Sequence, residues 1–557
     1  MDGSTLDGAI AQADEAAERF RAEGYWTDRL LRDFFADAVA RYPDKVAVKD
    51  DRFGELTYAE LAATVSRLAA ALKARGIGRG DRFVVALPNW QHVSAFALAL
   101  NHLGAVSVHM PVTGGAHEYG DVLRITGAKG VVVPGEFRSN DFPSMIEGIP
   151  GGFAGLETRV TVGRDDAGPG WLTFDGLLSE VPADAAAPAE PVSASDLTCL
   201  LFTSGASGDP KGVMHSSNSI GAMNTTVAPI YGMGHEQVIF MGAPLGFSAG
   251  LVHGLRLAIY LGATLVLQES WNTERALETM ARERATFTLA TPTLLRDILD
   301  HERFPDFAER LPLQLIFCGG APVPSGLLRA AREKLPRALT SVIWGMTEGI
   351  GTACRPGTSA ERVTGTDGEP FLGTELKILR EDGTEAPAGE EGDLVMRGPQ
   401  RFVGYYKLPE TNAEVFLPEG WFRTGDVGLI DADGHLKITG RRKDMIIRGG
   451  ANIAPAEIEE QLHGDPRILD LVVVGMPDER LGERICACVV PSEGCGNLVL
   501  DDIVDVVRRK GLAKNKWPER LEIIDSVPMT SSGKIQRPVL QEYVRNKVEA
   551  EKAADPA

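Results

Sequence analysis

Cysteine and long apolar runs are scarce in this chain, basic charge is outnumbered, and each shortage removes a class of protein. Six cysteines (Cys199, Cys318, Cys354, Cys486, Cys488, Cys495) are scattered over 557 residues, with no CxxC pair and no histidine-rich partner segment. Neither a disulfide scaffold nor a zinc module is expected, and reduced thiols suit a cytoplasmic protein. Cys486 and Cys488 fall on one face of an apolar strand, where they read as small buried side chains rather than metal ligands. Basic residues number 57 against 77 acidic, a net charge of -20. Such a surface repels nucleic acid and anionic lipid unless basic groups gather locally. The most apolar stretch, Val93 to Val108, is interrupted by Asn101 and His102 and is too short to span a bilayer. Neither end carries a recognisable export or anchor signal.

What remains is globular material, 44% hydrophobic and 24% charged, with a length that suggests about three or four domain-sized units. From Asp81 onward, strand-like and helix-like runs alternate: Arg82 to Leu87, Gln91 to Leu103, Ala105 to His109. The rhythm recurs through Lys129 to Val133, Ile239 to Gly242, Ala263 to Leu267, Thr273 to Arg284, Thr286 to Ala290 and Gln314 to Phe317. Alternation of this kind predicts an α/β body of parallel-rich sheets. An Ala/Pro-rich linker, Ala183 to Ala194, feeds the strand Leu197 to Phe202. Between Leu372 and Ile438 short runs are separated by Asp382-Gly383, Glu391-Gly392 and Asp433-Gly434, which predicts hairpins and a small β subdomain. After Gly440 comes the basic patch Arg441-Arg442-Lys443-Asp444, then about 110 residues with two helical segments and strands at Ile468 to Val474 and Arg484 to Val490. These divide the chain into an N-terminal domain, residues 1–440, and an α+β C-terminal lid, residues 441–557.

Directly after the strand Leu197 to Phe202 stands Thr203-Ser204-Gly205-Ala206-Ser207-Gly208-Asp209-Pro210-Lys211-Gly212. Glycines let backbone N–H groups approach phosphate oxygens, hydroxyls add donors, and the lysine offsets charge. It is not a Walker A loop, because Lys211 lies between Pro210 and Gly212 rather than before a hydroxyl residue. Taken alone, the segment is equally a plain surface turn.

The decapeptide resembles the phosphate loop of the adenylate-forming superfamily, which comprises acyl-CoA synthetases, peptide-synthetase adenylation domains and luciferases. Five further segments appear in that family's order. Gly319-Gly320-Ala321-Pro322 is similar to its adenine-pocket turn, and Trp344-Gly345-Met346-Thr347-Glu348 to its aromatic-Gly-x-Thr-Glu segment. Gly420 to Asp426 resembles its ribose stretch, Gly440 to Asp444 its hinge, and Pro528 to Ile535 the loop with its catalytic lysine, here Lys534. The resemblance runs from roughly Asp28 to Arg545. It implies that a carboxylate attacks the α-phosphate of ATP, that pyrophosphate leaves, and that coenzyme A then takes the acyl group. Lys534 would bridge the two repelling anions, Thr347 would hydrogen-bond the α-phosphate, and Glu348 would hold Mg²⁺. Trp344 would face adenine, while Asp426 and Arg441 would hold the ribose. The resemblance further implies a mobile lid that swings about Lys443 and presents Gly449 and Gly450 to the pantetheine arm.

Phe247, Leu251, Met346 and Ile350 are candidates for the acyl pocket; none is charged, and Phe247 stands where many relatives carry His, which argues for an apolar acid. Ala206 and Ala451 depart from the family pattern, where Ser or Thr and Glu are frequent. Closest in texture, over Met346 to Gly351, Met445 to Ile453 and Pro477 to Val490, are bacterial ligases for medium-chain and cyclohexane-type acids. Only about 23 residues follow Lys534, so a free acceptor, coenzyme A, is expected in place of a fused carrier. The chief alternative is a stand-alone adenylation enzyme that loads a separate carrier protein. A catalytically silent nucleotide sensor would be expected to lack Lys534 or Glu348. Small molecules are thus the expected partners, with no nucleic acid and no membrane span, and a homodimer is left open.

Overall fold

In the computed structural model, the structure describes residues 14–153, 155–166, 168–204, 210–448, 451–478, 480–529 and 535–554. Two large sheets form the body. The first has nine strands, with Leu339–Met346, Leu315–Gly319, Phe287–Ala290, Val238–Met241, Thr264–Leu267 and Val46–Asp50 parallel and adjacent in that order. The second has eight, with Leu197–Ser204, Val106–His109, Arg82–Val85, Gly130–Pro134 and Thr158–Val162 parallel. Parallel sheets are covered on both faces, which is why Leu315–Gly319 and Gly130–Pro134 are buried along their whole length. The expected strands and helices of this body stand within a few residues of their places, among them Gln91–His102 and Thr273–Arg282 as helices.

The small β subdomain is present as Glu375–Leu379, Gly392–Arg397, Phe422–Ile430 and Leu436–Arg441, antiparallel throughout. Gly383 and Gly434 take φ of +84° and +85° in their Asp-Gly turns. Glu391-Gly392 is not a turn. The chain reverses at Gly389, φ +84°, and Gly392 opens a strand at a point where a Cβ would run into the backbone carbonyl of Leu379. The glycine there answers to close packing rather than to a left-handed backbone.

In the C-terminal unit Ile468–Asp478 and Gly482–Pro491 pair antiparallel, and Arg520–Ile523 lies parallel to the latter. Where two helical segments are expected, the described residues hold three α-helices, Pro455–Leu462, Leu500–Arg509 and, last, Arg537–Ala554. Its apolar stripe is thin: Leu540 and Val544 are buried and Val548 is half-buried, spaced four apart among charged residues. They cover Cys486 and Cys488, which are buried in the same small core. Among the described residues no helix is long and apolar enough to cross a membrane.

Candidate active site

Leu339–Met346 turns straight back as Gly349–Ala353, with Met346 opposite Gly349, so Thr347 and Glu348 form the two-residue tip of a hairpin. This tip projects beyond the carboxyl end of a parallel strand, where open α/β sheets take their ligands. It is held from several directions. The Phe402 N–H donates to the Glu348 carbonyl at 2.8 Å, and the Tyr405 hydroxyl donates to Glu348 Oε1 at 2.6 Å. Burial, reinforced by the neighbouring carboxylate, raises the Tyr405 pKa, so the phenol keeps its proton and remains a donor. His215 Nε2 lies 2.8 Å from the Thr347 carbonyl. Burial lowers the His215 pKa to about 4, so the ring is neutral. Since a carbonyl only accepts, Nε2 carries the proton and Nδ1, 3.2 Å from Ser219 Oγ, accepts. The Thr347 hydroxyl meets Ser248 Oγ at 3.3 Å.

The strands Leu197–Ser204 and Pro210–Ser216 pair with Thr203 opposite Lys211, and Val213 pairs with Tyr405. Lys211 Nζ consequently stands 5.3 Å from the centre of the Tyr405 ring, a cation–π distance. Lys211, Tyr405 and Glu348 form one row, joining two motifs far apart in the chain. The side chain of Ser204, together with Gly205, Ser207 and Gly208, lies outside the described residues.

Asp426, 3% exposed, accepts from Trp344 Nε1 at 2.9 Å on one oxygen and pairs with Arg441 Nε at 2.9 Å on the other. Asp426 and Arg441 are cross-strand partners, and the two donors aim the carboxylate. One face of the buried Trp344 ring packs on bare backbone at Gly351, where a Cβ would run into it. Gly345 beside it is half-buried. Gly320, with φ +85°, begins the turn through Ala321 and Pro322 at the end of Leu315–Gly319, a conformation glycine adopts freely.

Of the residues expected at the acyl pocket, Phe247 and Met346 are half-buried while Leu251 and Ile350 are buried. Phe247 precedes a helical turn, Ser248–Gly250, that widens into a π turn, Leu251–Arg256. Lys443 is exposed in a single 3-10 turn, Arg442–Asp444, whose Arg442 pairs with Asp393 at 2.7 Å. Gly449, Gly450 and Lys534 lie outside the described residues. The base of the segment bearing Lys534 is described: Met529 bridges Ile535, and the Gln536 N–H donates to the Pro528 carbonyl at 2.8 Å. Next to it, buried Arg537 grips Glu459 through two bonds of 2.6 and 2.8 Å and donates to the Val473 carbonyl at 2.7 Å. His215, Tyr405, Arg537 and Glu459 carry no motif signal; only their tertiary neighbours reveal them.

The donor set fits a hard cation: one Glu348 oxygen is occupied by Tyr405, and the carboxylate and the Thr347 hydroxyl offer oxygen ligands. A family model described as AMP-binding enzyme matches residues 35–406, and one described as AMP-binding enzyme C-terminal domain matches residues 457–534. The chain is 34% identical to a medium-chain fatty-acid–CoA ligase of Escherichia coli strain K12, over 95% of this chain and 93% of that one. It is 33% identical to a salicyl-AMP ligase / salicyl-S-ArCP synthetase of Mycobacterium tuberculosis, over 96% and 94%. Its fold matches the crystal structure of an anthranilate CoA ligase in complex with anthranoyl-AMP, with a TM-score of 0.83, 25% identity and coverage of 94% and 98%. With both family models matched along the chain, it belongs to the AMP-binding enzyme family and is an adenylate-forming acid ligase.

Proposed function

We propose that the protein is an ATP-dependent carboxylic acid–CoA ligase of the cytoplasm: acid and ATP give acyl-AMP and pyrophosphate, and CoA then gives acyl-CoA and AMP. The observation that carries this reading is the row Lys211, Tyr405, Glu348, with Thr347 and the aimed Asp426 carboxylate close by. Asp426 and Arg441 hold the ribose hydroxyls, Thr347 donates to the α-phosphate, and the Gly320-Ala321-Pro322 turn, with Trp344, Gly345 and Met346, bounds the adenine. A Mg²⁺ held by Glu348 would neutralise charge on the triphosphate. Lys534 supplies the cation between the two anions. Residues 441–557 then swing about Lys443, so that Gly449 and Gly450 line the thiol's approach. Phe247, Leu251, Met346 and Ile350 bound an apolar stretch of the acid, consistent with a medium-chain, cyclic or aromatic body. Relatives that are named as CoA ligases favour CoA over a carrier, although a salicyl-S-ArCP synthetase is nearly as similar.

The test is pyrophosphate release from ATP across aliphatic, cyclic and aromatic acids, followed by addition of CoA or of a pantetheinylated carrier protein. Rapid discharge of the adenylate by CoA alone is expected; discharge by the carrier alone refutes the CoA assignment. Lys534→Ala is expected to lower adenylate formation by about 10² to 10³ or more while sparing CoA attack on supplied acyl-AMP. Equal loss of both half-reactions contradicts the role given to Lys534.

A further inference from the structure

The helix that brings Ser248 to Thr347 ends its π turn on Arg256, which is only 7% exposed. Single π turns inside helices occur often at functional sites. Arg256 lines an internal cavity together with Ser107, His109, Cys199, Leu251 and Leu255. The cavity offers about 10 Å³ to the centre of a water-sized sphere, room for roughly one water. Among the described residues Arg256 has no hydrogen-bond acceptor and no carboxylate partner; its Nε is buried without a partner, as is Nδ1 of His109. Cys199 does not supply the missing charge, because burial raises its thiol pKa to about 11. His109, held near pKa 3 by burial and by Arg256 itself, is neutral.

A lone buried cation is costly, by several kcal/mol before any partner is found. Water would meet the donors but leave the charge; a carboxylate meets both, and its two oxygens match the guanidinium fork. The cavity adjoins the acyl side. Leu251 lines it, and Ser107, Cys199 and His215 occupy one cross-strand row, with His215 reaching the Thr347 carbonyl. Arg256 and His109 therefore share one small cavity with Leu251, whose helix also brings Ser248 to Thr347.

We propose that Arg256, assisted by His109, receives a second carboxylate at the far end of the acid substrate, so that the enzyme activates dicarboxylic acids with an apolar middle. The proposal rests on the acid-adenylating reading. The chain of the acid displaces the Leu251 and Leu255 side chains on its way to Arg256.

Pyrophosphate release is measured with the full chain, ATP and Mg²⁺ on straight-chain monoacids and α,ω-diacids of matched length. At one or more lengths the diacid is expected to exceed its monoacid by tenfold or more in kcat/KM. Arg256→Met is expected to remove that preference, and Arg256→Lys to retain part of it. A wild-type enzyme that prefers the monoacid at every length overturns the proposal whether or not the variants fold, as does an Arg256→Met variant that slows both series equally. Monoacid turnover without diacid preference would sink this proposal alone; no pyrophosphate from any acid would bring down the adenylating reading with it.

Discussion

Two arginines are buried to a similar degree in this molecule, and their surroundings are opposite. Arg537, in the C-terminal unit, is 8% exposed and meets Glu459 through two short bonds, with the Val473 carbonyl as a third acceptor. Burial works against its charge, yet the Glu459 carboxylate outweighs it and the pKa is raised. Arg256 is 7% exposed, meets no carboxylate among the described residues, and burial lowers its pKa to about 10. The first is complete within the fold and fixes the base of the segment bearing Lys534. The second has its Nε buried without an acceptor among the described residues, which separates a charge satisfied inside the fold from one that is not.

The contrast can be broken most directly at Glu459. Glu459→Ala leaves Arg537 buried without its partner and is expected to cost about 3 to 5 kcal/mol, read as a fall in denaturant midpoint. Arg256→Met removes a charge that has no protein partner and is expected to hold or raise stability in the absence of acid. A loss at Arg256 as large as that at Glu459 would erase the distinction. Tyr405→Phe tests a satisfied polar group inside the site. It removes the hydroxyl bond to the Glu348 carboxylate, worth about 1.5 to 3 kcal/mol, and is expected to raise the Mg²⁺ requirement of pyrophosphate release. An unchanged Mg²⁺ dependence would relieve Tyr405 of any role at Glu348.

The most gradual effect is expected from pH, and it concerns the unsatisfied side of the comparison. His109 has a folded pKa of about 3, against roughly 6.5 in an unfolded chain. Between those values the unfolded state binds the extra proton, so stability falls as pH drops from about 6.5 toward 3, by at most about 1.4 kcal/mol per pH unit for this one residue. His109→Gln should flatten the acid limb of the stability curve by that amount. A limb of identical slope in the variant would mean that His109 takes up its proton while folded.

The candidate segments could be picked out of the sequence because each is local. Thr203 to Gly212, Thr347-Glu348, Asp426 and Arg441 stand out only as segments in an order that resembles one family, whereas the alternating runs by themselves predict the parallel body. The partners of these residues were not legible. Tyr405 reaches Glu348 across 57 positions and His215 reaches Thr347 across 132, with nothing periodic to mark either. The turn assigned to Glu391-Gly392 failed because glycine serves close backbone packing as well as positive φ. The C-terminal stretch holds one helix more than expected, and the buried stripe of Arg537–Ala554, about one side chain wide, is a weak periodic signal.

Sequence by itself determined the α/β class of the body and the order of the segments that resemble one family, since both are written in local runs of residues. Tertiary structure decided which side chains are held, and by what: sheet register sets Thr203 opposite Lys211 and Asp426 opposite Arg441, and packing encloses Arg256 with no counter-charge among the described residues. Burial and charge balance belong to the folded environment of a side chain, so no reading of residue order alone contains them.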